Sequence, residues 1–399
     1  MNNNEGSLGL FGRTLPLFYE DLKTHDDELS RIVSNSRFLI LGGAGSIGQA
    51  VVKELFKRGS KVLHVVDISE NNLVELVRDL RSSFGYIVSD FKTFALDIGS
   101  LEYDAFINSG NGYDYVLNLS ALKHVRSEED AFTLMRMLDV NIFNTIKSLE
   151  QSIAFGAKKY FCVSTDKAAN PVNLMGASKR VMEMFLTDFH KELPISTARF
   201  ANVAFSDGSL LHSFKQRLFK SQPIVAPNDI QRYFVTPEES ATLCLMSCIF
   251  GQTGDIFFPK LNAESHLAKF SDIAEKFLLS QGYTPYLCET EDEARELARV
   301  LPAKGFWPCL FSGSTTTGEK AIEEFYTVGE ILDMTLFNDI GVVKSNLSVT
   351  SHELVAFKQT IKGLQARGIW KKSDIVNAVV KLLPQFQHKE TGLYLDGKM

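Results

Sequence analysis

Thr165, Asp166 and Lys167 occupy consecutive positions and bring a hydroxyl, a carboxylic acid and an amine into one short stretch. Such a set moves protons. Enclosure raises a carboxyl pKa until the group can act as an acid, and desolvation lowers an ammonium pKa until the amine can act as a base. The stretch follows an apolar run, Tyr160 to Val163, that reads as a β-strand. Sheets with helices on both faces bind ligands at strand C-terminal ends, which suits a functional reading. The plainer alternative is a solvated ion pair at a strand end.

A second constellation lies near the N-terminus. Gly42, Gly45 and Gly48, with Ser46 and Ile47 between the last two, form a G-x-x-G-x-x-G loop after the apolar run Phe38–Leu41. Glycines there permit a tight turn and close approach of backbone N–H groups to a pyrophosphate, and the following helix N-terminus adds partial positive charge. The next strand ends at Asp67, nineteen residues after Gly48, where a carboxylate accepts both adenine-ribose hydroxyls. This pair of features predicts a dinucleotide site. Asp67 repels a 2′-phosphate and no Arg follows it directly, so NAD is expected over NADP.

The elements that must position these residues follow from periodicity. Val51, Val52, Leu55 and Phe56 mark one helix face, and Leu73, Leu76, Val77 and Leu80 another. Val62–Val66, Phe91–Leu96 and Tyr115–Leu117 read as further strands, and the segment from Phe132 to Ile153 as one long helix. Strand and helix alternate to about residue 200. The expected fold is therefore α/β: a Rossmann-like, doubly wound parallel sheet, a smaller C-terminal substrate-binding lobe and a helical C-terminal extension.

The expected boundaries are an N-terminal arm over 1–36, a nucleotide-binding domain over 37–205, mainly the substrate lobe over 206–345 and the extension over 346–399. The arm is polar apart from a patch at Leu15, Leu17 and Phe18. Thr236-Pro237-Glu238-Glu239 has the pattern of a capped helix start. Ser351 and Ser373 are candidate caps for two short helices, packed on the body or on a partner subunit, with a loosely attached tail as the alternative.

Composition narrows the function classes. The 48 acids and 42 bases give a net charge of −6, which does not favour nucleic acid or an anionic membrane as partner. No apolar stretch reaches the roughly 20 residues needed to cross a bilayer, and Met1–Glu5 has no basic leader region. Cys162, Cys244, Cys248, Cys288 and Cys309 are scattered and odd in number, which fits reduced thiols in a cytoplasm. Cys244 and Cys248 read as buried hydrophobes, and no metal site is expected, because no His lies at ligand spacing from them.

The glycine spacing resembles the extended short-chain dehydrogenase/reductase superfamily, in the branch that acts on nucleotide sugars. Leu96-Asp97-Ile98 resembles that family's segment at the adenine, and Asn118-Leu119-Ser120-Ala121 its segment beside the nicotinamide. The plainer alternative for Asp97 is a helix-cap or turn residue. Ala121-Leu122-Lys123-His124-Val125 is similar to a run of nucleotide-sugar 4,6-dehydratases, and Ser164 to Pro171 to the S-T-D-K-A signature of the UDP-N-acetylglucosamine 4,6-dehydratases. Asp139-Val140-Asn141 and Asn144-Thr145 resemble a segment that steadies the central sheet. The resemblance spans about residues 36–330.

One departure matters. The superfamily's Y-x-x-x-K pair reads Met175-x-x-x-Lys179 here, and a thioether carries no proton. One subset of the 4,6-dehydratases also has Met at this position. The resemblance then implies C4 oxidation by bound NAD, C5 deprotonation, loss of the C6 hydroxyl and return of hydride to C6. It assigns Asp166 as the acid at the C6 oxygen, Lys167 as acid/base at C5 with a lowered pKa, and Thr165 as relay at the C4 oxygen. Lys179 would hold the nicotinamide ribose. Asn202 and Arg232 match segments that contact the substrate diphosphate and nucleotide end, and Lys123 and His124 line the sugar pocket. For His124 and Arg232 the alternatives are a structural histidine and a surface salt bridge. Competing readings are a UDP-sugar 4-epimerase, which Met175 opposes, and a non-catalytic NAD-binding protein. The expected partners are a UDP-sugar and further copies of the chain as a homo-oligomer.

Overall fold

The computed structural model describes residues 8–314, 320, 322–344 and 351–388. Its strands in chain order are β1 (Arg37–Leu41), β2 (Val62–Asp67), β3 (Asp90–Ala95), β4 (Tyr115–Asn118), β5 (Lys159–Thr165), β6 (Ile195–Phe200), β7 (Asn202–Val203) and β8 (Ile224–Pro227). They continue with β9 (Gln231–Val235), β10 (Asp255–Pro259), β11 (Leu267–Lys269), β12 (Thr284–Leu287), β13 (Phe306–Ser312), β14 (Ile331–Asp333) and β15 (Ile340–Lys344).

Nine strands form the central sheet in the order β14-β15-β10-β6-β5-β4-β1-β2-β3. From β3 to β10 every pairing is parallel, and β15 closes on β10 antiparallel. Alternation along β1 shows why: Leu39 and Leu41 enter the core on one face, Phe38 and Ile40 the core on the other. A strand buried on both faces requires helices on both sides, and parallel crossovers supply them. The doubly wound sheet is thus as expected. Chain order reverses between β1 and β4, and this switch point opens a crevice at the strand C-terminal ends.

Two three-stranded sheets, β11-β9-β7 and β12-β13-β8, stand apart from the central one. A separate apolar cluster with Phe214, Ile224, Phe277 and Trp307 supports this region. Strands β10, β14 and β15 and the helix Pro237–Phe250 come from the same half of the chain but join the central sheet and its flank. The two parts therefore interleave along the sequence after residue 205. Thr236 and Glu239 form the expected capping box on that helix.

The segment expected as one long helix is broken in register. Helix Ala131–Leu138 and helix Asn144–Ala154 are joined by a π-turn, Asp139–Phe143. A π-turn adds a residue to the turn, re-aims the side chains within it and is frequent at functional sites; here it buries Asn141.

The termini are packed. Helix Tyr19–Ser34 buries Leu29 and Val33, and Arg13 makes a bidentate pair with buried Glu239 at 2.6 and 3.0 Å. Of the expected apolar patch Phe18 is buried, but Leu15 is exposed. Helices Ser351–Arg367 and Lys372–Leu382 place Leu354, Phe357, Ile361, Ile375 and Val379 in the core beside Leu134 and Phe185. Ser351 opens the first of them. Ser373 lies inside the first turn of the second, where the Asp374 carboxylate instead accepts from the Lys371 N–H at 2.8 Å. All five cysteines are buried free thiols.

Phe357 meets Phe185 with ring centroids 6.3 Å apart. Phe357→Ala should lower stability by about 3–5 kcal/mol, read as a shift of the urea midpoint. An unchanged midpoint would show that the C-terminal helices add nothing to the core.

Candidate active site

The glycine loop follows β1. Gly42 has φ +71°, and a Cβ there would stand 2.7 Å from the Ser120 backbone nitrogen. A Cβ on Gly48 would come within 2.3 Å of the Gly42 carbonyl oxygen. The loop is therefore pressed against the β4 end on one side and its own helix on the other. Gly45 precedes the helix Ser46–Lys57 without a side-chain cap, so the first helical N–H groups are left for a ligand. These features fit a dinucleotide pyrophosphate.

Two depressions meet over this loop, sharing Gly42, Gly45, Leu119 and Ala121. The smaller, about 260 Å³, is lined by Asp67, Asp97, Ile98 and Ser120. Asp67 already accepts from the Ala44 and Ser69 N–H groups, both at 2.9 Å, and so pins the glycine loop to β2. A carboxylate has about four acceptor sites, which leaves room for ribose hydroxyls. Asp97 accepts from the Gly99 N–H at 2.9 Å and shapes a turn as well as the wall.

The larger depression, about 320 Å³, is walled by Ser46, Ile47, Gly48, Lys123, His124, Thr165, Asp166, Lys167, Met175, Lys179 and Asn202. The fold thus gathers the expected site residues from the ends of β1, β4, β5 and β6. Arg232 is the exception among them. It is buried, bonds the Gln231 carbonyl at 2.8 Å and does not line the cleft.

The buried Asn141 clamps the segment after β4. Its amide accepts from the Leu122 N–H at 3.0 Å and donates to the Leu122 carbonyl at 3.1 Å and to Ser178 Oγ at 2.9 Å. One side chain thereby joins the loop of Ala121 and Lys123 to the helix Leu174–Asp188, which carries Met175 and Lys179. Gly176 packs that helix on the turn after β5, since a Cβ would meet the Lys167 carbonyl oxygen at 2.5 Å.

Asp166 is 1% exposed and its two oxygens differ. Oδ1 accepts from Thr165 Oγ1 at 2.9 Å and the Lys167 N–H at 2.8 Å, with Lys167 Nζ at 3.3 Å. Oδ2 accepts nothing from the described protein groups. A buried acceptor without a donor is costly, and a substrate hydroxyl would satisfy it.

The site lysines differ too. Burial works to lower the Lys167 pKa, but Asp166 and Glu323 overcome it and raise it. The lowered value expected from desolvation is not found, because the sequence did not show the second carboxylate. Lys179 is buried with Nζ 3.1 Å from the Val163 carbonyl, and burial lowers its pKa. Burial also lowers Lys123, partly offset by Asp207, and lowers His124, helped by Lys123 and Arg126. The His124 ring sits against Gly208, where a Cβ would be 2.8 Å away.

The family model described as polysaccharide biosynthesis protein matches residues 38–345. The chain belongs to that family. Its fold is that of the extended short-chain dehydrogenase/reductases. Among curated proteins it is 28% identical over 321 residues to the membrane protein MJ1061 of Methanocaldococcus jannaschii, covering 79% of this chain and 89% of that one. It is 24% identical over 302 residues to the capsular polysaccharide biosynthesis protein CapD of Staphylococcus aureus, covering 75% of this chain and 49% of CapD. The chain thus spans about half of CapD. Among solved structures, Pen from Bacillus thuringiensis superposes with a TM-score of 0.64 at 24% identity, over 79% of this chain and 90% of Pen, a likeness of fold. Among the described residues no helix is long and apolar enough to cross a membrane.

Sequence reasoning missed Glu323, buried 3.6 Å from Lys167 Nζ, which stands in a stretch without a motif. It also gave no role to Arg199. Arg199 is 0% exposed and bonds Glu183 at 3.0 and 2.8 Å and Glu330 at 2.9 Å through each of two nitrogens. Burial would raise the Glu183 carboxyl, but Arg199, Arg180 and Ser164 bring it down to about 2 from 4.5.

A carboxyl whose folded pKa lies below its ordinary value stabilises the fold fully above the ordinary value and loses that contribution as pH falls through the folded one. Glu183→Gln should therefore cost about 3–5 kcal/mol near neutrality. Urea midpoints should converge with the wild type as pH drops from 4.5 toward 2. A gap independent of pH would contradict the charged state of Glu183.

Proposed function

We propose that this chain is an NAD-dependent nucleotide-sugar 4,6-dehydratase that converts UDP-N-acetylglucosamine to a UDP-2-acetamido-2,6-dideoxy-4-ketohexose. The observation that carries this reading is the pairing of a cleft-lining carboxyl that keeps one oxygen without a donor with a thioether where a tyrosine would stand. NAD, when bound, would supply reversible hydride chemistry for a transient C4 ketone and the final C6 methyl. Gly42, Gly45, Ser46, Ile47 and Gly48 would hold its pyrophosphate, Asp67, Asp97 and Ile98 its adenosine, and Ser120, Ala121 and Lys179 its nicotinamide end.

The chain's own residues handle the protons. Thr165 Oγ1 receives the C4 hydroxyl proton and passes its own to Asp166, 2.9 Å away. Asp166, protonated by Thr165 at Oδ1, then delivers that proton to the departing C6 hydroxyl, which leaves as water. Lys167 removes the C5 proton once the C4 carbonyl has made it acidic, and later returns a proton to C5. Each proton taken is given back or leaves in water, so the cycle balances. Met175 packs against the reacting ring and excludes water. Lys123, His124 and Asn202 line the sugar and diphosphate path, and Arg232, which bonds the Gln231 carbonyl, would have to turn toward the nucleotide end.

Incubation with UDP-N-acetylglucosamine should give a C6 methyl doublet and a hydrated C4 ketone by NMR. A C4-inverted sugar that keeps its C6 hydroxyl would replace this reading with an epimerase. Asp166→Asn and Lys167→Ala should each reduce dehydration by at least about 100-fold while NAD stays bound, and wild-type turnover in either would refute the roles given. Met175→Leu should keep substantial activity, and its complete loss in a folded protein would mean that the thioether takes part.

A further inference from the structure

The amine that must take the C5 proton is a charged ammonium in the free protein. Lys167 Nζ lies between two buried carboxylates, Asp166 Oδ1 at 3.3 Å and Glu323 Oε1 at 3.6 Å. An ammonium cannot accept a proton, so a neighbour must first take one from it. In the proposed sequence Asp166 is already engaged in carrying the C4 proton to C6. Glu323 is the other acceptor within reach.

Its surroundings suit that task. Glu323 is 5% exposed, and its Oε2 accepts no hydrogen bond from the described protein groups. The charged groups that face the pair are Asp166, Arg232 and Lys320, the last 4.0 Å from Oε2. Burial raises the Glu323 carboxyl above its ordinary range, with Asp166 adding to the rise and Lys167 opposing it. The backbone that carries Glu323 is anchored on the central sheet. Phe325 stacks on Phe258 at 6.1 Å, the Phe325 carbonyl accepts from Arg199 at 2.8 Å, and Glu330 accepts from the same guanidinium. Closing the Lys167–Glu323 gap by about half an ångström brings the two within hydrogen-bond distance.

We propose that Glu323 is the proton store for Lys167: it takes one Nζ proton before C5 is attacked and restores it after C5 has been reprotonated. The bookkeeping closes without a co-reactant. The N–H bond of the ammonium breaks as an O–H bond forms on Glu323, and the neutral amine then takes the C5 proton. On the return the ammonium gives a proton to C5, and Glu323 gives its proton back to the amine. Glu323 does not line the cleft and acts through Lys167, so it is a positioning residue. This inference rests on the dehydratase reading given above.

The experiment compares wild type, Glu323→Gln and Glu323→Asp in two measurements. The first needs no turnover. Reductive ¹³C-methylation labels Lys167, whose side chain is 21% exposed, and Lys167→Arg identifies its NMR signal. The titration of that signal should move down by about one pH unit or more in Glu323→Gln and by less in Glu323→Asp. The second is kcat against pH with UDP-N-acetylglucosamine. Glu323→Gln should lose at least about tenfold in kcat at neutral pH with KM within about threefold, because only the proton store is gone. Its kcat should climb with pH as solvent base deprotonates Lys167, and Glu323→Asp should recover part of the loss. An unmoved Lys167 titration overturns the proposal. So does a loss in Glu323→Gln that is equal at every pH and shared by Glu323→Asp, which is the mark of packing alone. If the wild type forms no 6-deoxy product, the dehydratase reading falls, and the Lys167 titration still decides whether Glu323 governs that lysine's charge.

Discussion

A guanidinium with no solvent exposure, Arg199, holds together the side of the molecule that walls the larger depression. It leaves β6 and meets Glu183 on the helix Leu174–Asp188 and Glu330 on the segment before β14. Arg180 bonds the same two glutamates at 3.1 and 3.2 Å, so two cations face two anions in a small buried volume. A buried charge that loses its partner is heavily penalised, so the three backbones are held in one arrangement. That arrangement decides where Met175 and Lys179 stand, where the β6 end delivers Asn202, and how Glu323 reaches Lys167. The ion cluster touches neither depression, yet the geometry of the larger one depends on it.

The dinucleotide side is constrained by contact distances in place of charge. Gly42, Gly48 and Ser120 leave no volume for a methyl group between the two loops. Asp67 fastens the glycine loop to β2 through the Ala44 N–H, and Asn141 fastens the facing loop to a helix through three bonds. The walls of the cleft are therefore rigid before any ligand arrives, which lowers the entropic cost of orienting a ligand between them.

Lys167 and Lys179 show how position sets chemistry for one residue type. Both are desolvated. Lys179 has a backbone carbonyl, two sulfur atoms and the more distant Glu183 carboxylate about it, and burial prevails. Lys167 has two carboxylates, and they prevail over burial. A lysine intended as a base can thus rest as an ammonium if its immediate surroundings hold somewhere for the proton to go.

Much of the architecture was legible in the chain. Alternating apolar runs and helical stripes specify a doubly wound sheet, because each strand must hide both faces. The glycine spacing with Asp67, and the hydroxyl, acid and amine at positions 165–167, mark the two halves of the site, because these properties belong to neighbouring residues. What stayed hidden involves groups distant in sequence or changes of register. The π-turn at Asp139–Phe143 and the withdrawn Arg232 carry no local signal. The second carboxylate at Lys167 comes from position 323, and the charge on a half-buried lysine follows from every group within a few ångströms. Sequence alone determined which chemical groups are present and which strand ends carry them. Only the tertiary structure decided their protonation and mutual distance, because Coulomb and desolvation energies depend on separation in space and not along the chain.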